Sequence, residues 1–407
     1  MNRSALTIAE RIELRRRRLG LSRRVVAQLI GRSDEWLRQV EQGHTRLDSI
    51  EMTFRLAEVL RFDDPMELVD WHSSSRSTAR KVGLELTALS RAIMDHPSTH
   101  ALTAEASPLP RSLDAVRASL EECWDIWLNS RHRYTELAAR LPGVLVAARS
   151  IRATAQAAQN GEVEEAGQLL VDVYHLARLL LTRVGDYHLA WLVADRPIGI
   201  LARTATPTLV AASSWHVASA LLSLGYHAES MDYALAASRR LAAESRTDQT
   251  SYGALQLVAA EAAAGVGALA RSQDLMADAW LLATKLDHAG VDHRIWFGGI
   301  EVAITAMNIA LQLGKFDDAV KFAANVEIPD STHVDLRVVY YLTTAYTYSV
   351  LGSDFAAIFA LQQAELACPE DIRYDWIAHR SLQRLARHDH HLIRRDLAKL
   401  LSAAGLT

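Results

Sequence analysis

GLSRRVVAQLIGRSDEWLRQVEQG, residues 20–43, carries two short helix patterns between three glycines. Ser22 and Ser33 each stand one position ahead of a run with apolar residues at helical spacing, the place of an N-cap. Val26, Ala27 and Ile30 share one face of the first run, and Leu37 and Val40 one face of the second. Gly31 supplies the turn between them, while Gly20 and Gly43 close the neighbouring helices. Two short helices on a glycine turn form the helix-turn-helix plan.

The pattern extends both ways. Ile8–Leu19 reads as a helix with Ile8, Ile12 and Leu19 facing inward. Asp48 or Ser49 caps a fourth helix that runs to Leu60 and buries Ile50, Phe54, Leu56, Ala57 and Leu60. Pro65 opens a fifth, ending near Trp71. Residues 1–71 thus form one five-helix domain. Its first 46 residues hold eleven Arg against five acids, and residues 47–72 hold two Arg against seven. A basic head on a mildly acidic body suits a nucleic-acid contact. Only five of the 44 basic residues are Lys, a bias that with abundant Ala fits a GC-rich bacterial genome and makes any Arg run weaker evidence.

Four pieces taken together resemble the phage-repressor-like XRE helix-turn-helix family. They are Arg16-x-x-x-Gly20-Leu21-Ser22, Val26-Ala27-x-x-Ile30-Gly31-x-Ser33, Leu37-x-x-Val40-Glu41-x-Gly43 and Leu56-Ala57-x-x-Leu60. The resemblance implies an internal salt bridge between Arg16 and Glu41. It also implies that Ser22 and Arg23 rest on phosphates, where free N–H groups and a guanidinium favour an anion. After the Ser33 cap, Asp34, Glu35, Arg38 and Gln39 match positions that reach base edges in the major groove. Arg38 suits guanine and Gln39 adenine. Asp34 and Glu35 either accept from cytosine or serve the helix dipole as first-turn acids. Trp36 either leans on the sugar-phosphate wall or packs on the fourth helix. Thr45 and Arg46 suit a phosphate clamp.

Residues 72–141 read as a Ser-rich linker (72–80) and connecting helices, near Lys81–Met94 and Ser112–Leu128. Trp124 and Trp127 fall on one face of the latter. From Pro142 to the end at residue 407, a small-residue helix, a Gly and a second helix recur at Gly185, Gly225, Gly267, Gly314 and Gly352, with an earlier copy at Gly161. Periods of this size mean a helical solenoid. Leu313-Gly314-Lys315-Phe316-Asp317-Asp318-Ala319 resembles the diagnostic stretch of tetratricopeptide (TPR) repeats. The expected fold class is all-α, a helix-turn-helix domain followed by a TPR-like α-solenoid. With 19 Gly and 9 Pro in 407 residues, turn residues are too scarce for a sandwich or barrel.

The layout resembles the XRE–TPR regulators of bacteria. It implies a cytoplasmic, sequence-specific transcription factor that binds double-stranded DNA at a pseudo-palindromic operator as a homodimer. The repeats would dimerise and hold an effector, a small molecule or a peptide. Trp215, Trp296, Asn308 and Tyr341 are the effector-site candidates, against a plain core-packing role. The rival is a TPR-like adaptor whose helix-turn-helix contacts protein; the acidic Asp34-Glu35 pair favours it. No catalytic constellation is present, so no enzyme and no cofactor are expected. Gly265-x-Gly267 lacks a third Gly for a dinucleotide loop. No metal is expected either, since His388, His390 and His391 read as a solvated helix face. Cys123 and Cys368 imply no disulfide framework. Thr204–Ala228 is uncharged but carries Pro207 and two His, so it reads as a buried helix rather than a membrane span.

Overall fold

The computed structural model describes residues 8–42, 50–60, 84–95, 112–159, 161–201, 205–241, 245–286, 290–329, 331–387 and 392–406. Among these the chain is all-α apart from one two-stranded hairpin. It divides into two compact units, one within residues 1–74 and one in the bulk of the chain that follows.

The first unit holds α1 (Ile8–Arg18), α2 (Arg23–Leu29), α3 (Asp34–Glu41) and α4 (Ile50–Val59). Gly20 and Gly31 take φ values of 67° and 72°, a left-handed conformation that costs a Cβ-bearing residue free energy. There the N–H of Leu21 donates to Arg16 (3.1 Å) and that of Arg32 to Ala27 (2.8 Å), which satisfies carbonyls the helix ends leave open. Ile12, Val26, Ala27, Ile30, Leu37, Val40, Leu56, Ala57 and Leu60 share one core, as their spacing predicts, and Met52 joins them. The expected helix at 65–71, the linker 72–80, the Asp48 or Ser49 cap and the side chains of Ile8, Ile50 and Phe54 lie outside the described residues.

The second unit opens with α5 (Thr87–Met94), α6 (Leu113–Asn129) and α7 (Arg133–Ala158). α5 begins at Thr87 rather than Lys81: residues 84–86 are not helical, and the Glu85 carboxylate accepts from the Thr87 N–H (2.8 Å). Pro142 lies inside α7, where Leu137, Leu141, Val144 and Leu145 are buried on both sides of it. Helix pairs follow: α8 (Val163–Arg183) with α9 (Tyr187–Ile200), α10 (Pro207–Ser223) with α11 (His227–Ser238), and α12 (Arg246–Gly265) with α13 (Leu269–Leu286). After the hairpin, β1 (Gly290–Asp292) and β2 (Ile295–Phe297), come α14 (Gly299–Gln312) with α15 (Phe316–Ala324) and α16 (Val334–Leu351) with α17 (Asp354–Ala367). α18 (Pro369–Tyr374), α19 (Trp376–Leu385) and α20 (Arg394–Ala403) complete it.

One turn joins all five pairs. Gly185, Gly225, Gly267, Gly314 and Gly352 have φ between 69° and 83°. In each, the N–H of the next residue donates to the carbonyl five positions back, at 2.8–3.0 Å. Packing repeats too: the Ser230 hydroxyl donates to the Ala218 carbonyl and the Ser272 hydroxyl to Ala260, both at 2.8 Å. The copy expected at Gly161 departs from this. There Gln159, not Gly161, takes the left-handed conformation (φ 49°).

The hairpin is the departure from an all-helical expectation. Its two-residue turn, His293-Arg294, has positive φ at both positions (44° and 62°), without the Asn-Gly signal such turns favour. Tertiary ties hold it. Arg294 Nη2 donates to Glu121 (2.5 Å), and His293 Nε2 lies 3.3 Å from the Thr208 hydroxyl. Phe297 lies so close to α12 that a Cβ on Gly253 would stand 2.4 Å from its ring.

The helices of the second unit return on themselves, and α16 packs against α6. A buried charge cluster fastens this closure. Arg133, at the start of α7, donates to both Asp371 oxygens (2.7 and 3.1 Å) and to Asp335 (2.8 Å). Arg183 also donates to Asp335 (2.8 Å). Glu370 accepts the Tyr134 and Thr135 N–H groups (2.7 and 3.2 Å), capping α7 from a helix more than 230 residues away. Among the described residues no helix is long and apolar enough to cross a membrane.

Candidate functional site

α2 and α3 position the candidate DNA-facing residues. The Ser22 hydroxyl accepts from the Val25 N–H (3.2 Å), and that of Ser33 from Trp36 (3.1 Å). Both serines therefore cap helices. Leu37, Val40 and Glu41 are buried, which turns Asp34, Glu35, Arg38 and Gln39 outward.

Three of these four form a network. Arg38 donates to both Glu35 oxygens (2.5 and 2.7 Å) and to Gln42 (2.9 Å). Gln39 Nε2 donates to Glu35 Oε1 (3.1 Å). The Arg38 hydrogen bonds hold the Glu35 carboxyl below its ordinary pKa. In the free protein both candidate base readers thus rest on one acid, Glu35. The pair is exposed, so water competes with it and its rupture costs little.

Glu41 joins three helices. Arg16 donates to it through Nε (2.5 Å) and Nη2 (3.0 Å), and Arg23 through Nε (2.6 Å). Burial opposes its charge, yet the two guanidiniums outweigh it and hold the carboxyl below its usual range. The Arg16–Glu41 bridge is the one expected. Arg23, expected on phosphate, shares the same carboxylate and leaves its side chain partly exposed. The sequence held the signal: Glu41 lies on the buried Leu37–Val40 face, where one cation leaves carboxylate lone pairs unsatisfied. Trp36 is half-buried against the core of the unit, with the Arg32 guanidinium 5.8 Å from its ring centre. Thr45 and Arg46 lie outside the described residues.

In the second unit the four effector candidates are half-buried, each with its own neighbour. Trp296 lies 4.5 Å from the His333 ring and Tyr341 5.4 Å from Tyr340, centre to centre. Asn308 hydrogen-bonds Glu261. Trp215 meets His216 edge-on at 5.0 Å and lies beneath the Arg178 guanidinium at 4.8 Å. Arg178, His175 and His216 were missed, although an Arg and a His three apart in the apolar run of α8 are a legible signal. His388, His390 and His391 lie outside the described residues. Cys123 and Cys368 are free and buried, and burial pushes both thiols up, Cys123 to about 11.

Half-buried acids set a pH dependence. Burial pushes the carboxyls of Glu261 and Glu301 up to about 7 from an ordinary 4.5, against the pull of Asn308 on the first, while neither Glu301 carboxylate oxygen meets a hydrogen-bond partner among the described residues. Between those values the folded unit holds protons that the unfolded chain has released. Stability from these groups is therefore greatest in mild acid and falls as pH rises towards 7. Denaturant midpoints measured at about pH 5 and pH 8 are expected to show this fall, and Glu301→Gln to reduce it and raise the midpoint at the higher pH.

Residues 7–68 match a family described as a helix-turn-helix domain. A comparison of the chain with curated proteins found no match. The matched stretch contains α1 to α4 and points to a DNA-binding regulator.

Proposed function

We propose that the protein is an XRE-type, sequence-specific transcriptional regulator that acts in the cytoplasm as a homodimer. The observation that carries this is the outward face of α3. It presents Arg38 and Gln39 one position apart, next to a capped N-terminus, in a matched helix-turn-helix domain. α3 is the recognition helix. Arg38 and Gln39 leave Glu35 for base edges, an exchange of an exposed pair for bidentate contacts in the groove. Ser22, Arg23 and Ser33 mark the two helix N-termini that meet phosphates, with Thr45 and Arg46 beyond. One head touches few base pairs, so two heads read a pseudo-palindrome with half-sites about 10 bp apart or a multiple of that. The five Gly-turned pairs form a TPR-like sensor that dimerises and binds an effector.

A protein-binding adaptor is the second possibility, and the acid that occupies both Arg38 and Gln39 favours it. A salt titration separates the two. A regulator binds genomic fragments with an affinity that falls steeply between about 50 and 200 mM salt, because phosphate contacts release counterions. Weak binding with a flat salt response would support the adaptor.

A further inference from the structure

Arg178 stands inside the second unit, 4% exposed, without an acid beside it. Among the described residues no carboxylate oxygen lies within 4 Å of its guanidinium. Its Nε donates to His216 Nδ1 (3.0 Å), and Nη2 finds no acceptor. His216 stacks on His175 at 3.9 Å, and His175 Nε2 lies 3.1 Å from the Ser213 hydroxyl. His216 accepts at Nδ1, so its ring is neutral with the proton on Nε2. Burial keeps both imidazoles uncharged, His175 down to about 3.

Neither nearby acid pairs with Arg178. Asp335 is shared by Arg133 and Arg183; Asp172 lies 3.9 Å from His175 Nδ1, and burial pushes its carboxyl up to about 7, which weakens its charge as a partner for Arg178. A buried guanidinium left so is costly, and a donor aimed at no acceptor adds to the cost. A single negative charge from outside the chain relieves both. A dianion would leave one charge in excess, since the imidazoles carry none. Trp215, packed between two apolar clusters, adds an apolar wall.

We infer that Arg178, His175, His216, Ser213 and Trp215 form a binding site for a small monocarboxylate with a flat apolar body. The site rests on the effector role given above and names the chemistry of the effector.

The test uses the full chain in chloride-free buffer. Benzoate and indole-3-acetate are compared with their carboxamides and with acetate, chloride and inorganic phosphate, by thermal shift and calorimetry. The aromatic acids are expected to bind saturably and raise the midpoint, with the amides and the simple anions far weaker. Arg178→Met is expected to weaken the acids about 10- to 100-fold, while its unliganded midpoint is unchanged or higher. Arg178→Lys, which keeps charge but not the planar fork, is expected to weaken them by about 10-fold and serves if the Met variant does not fold. Absence of a shift with either acid, equal shifts with acids and amides, a full shift with chloride alone, or undiminished binding in the Arg178 variants overturns the inference. Operator affinity measured with and without a bound acid separates the two claims: acid binding that leaves it unchanged keeps the site and removes its regulatory role.

Discussion

Asp371→Ala is expected to destabilise the second unit by about 3–5 kcal/mol. Arg133 is fully buried, its charge balanced by bidentate hydrogen bonds to Asp371 and one to Asp335. Truncating Asp371 strands that charge in the interior and also removes the acceptor of the Tyr134 hydroxyl (2.6 Å). Asp335 cannot absorb the loss. Burial works against its charge, but Arg183 and Arg133 already hold its carboxyl down to about 2. Replacing both partners by apolar residues, Arg133→Met with Asp371→Leu, is expected to recover most of the stability, because no unpaired charge then remains. Denaturant melts of the single and double variants measure this. Equal losses in both would show that packing, not charge pairing, holds this closure.

Arg38→Ala is expected to lower affinity for the cognate operator about 10- to 100-fold and to relax selectivity at one base position. Glu35→Gln is expected to act in the opposite direction. It frees Arg38 and Gln39 and removes a negative charge that phosphates would repel, so binding to all DNA strengthens several-fold and discrimination narrows. Affinities for operator and scrambled DNA, measured at one salt concentration, check both. An Arg38→Ala protein that binds operator as wild type does would move base reading elsewhere on α3.

Much of the first unit was legible because its information is local. Ser22, Gly31 and Ser33 each act within four residues, and the apolar spacing around Leu37 and Val40 orients α3 without long-range help. The five left-handed glycines were legible for the same reason, since each ends a helix through a bond spanning five residues. Long-range partners were not. Asp371 lies 238 residues from Arg133, and nothing in either neighbourhood names the other. The hairpin escaped because its strands have three residues each and its turn is His293-Arg294, held by Glu121 and Thr208 from distant helices. The clustering of Arg178 with His216 from another helix was equally hidden, although each stood in view as a polar residue in an apolar run.

Selection of genomic fragments by the purified full chain tests the central claim most directly, with Gln39→Ala as a parallel arm. The account predicts enrichment of one pseudo-palindromic sequence, lost or relaxed at one position in the variant. No enrichment at low salt by a folded, dimeric wild-type protein would contradict it.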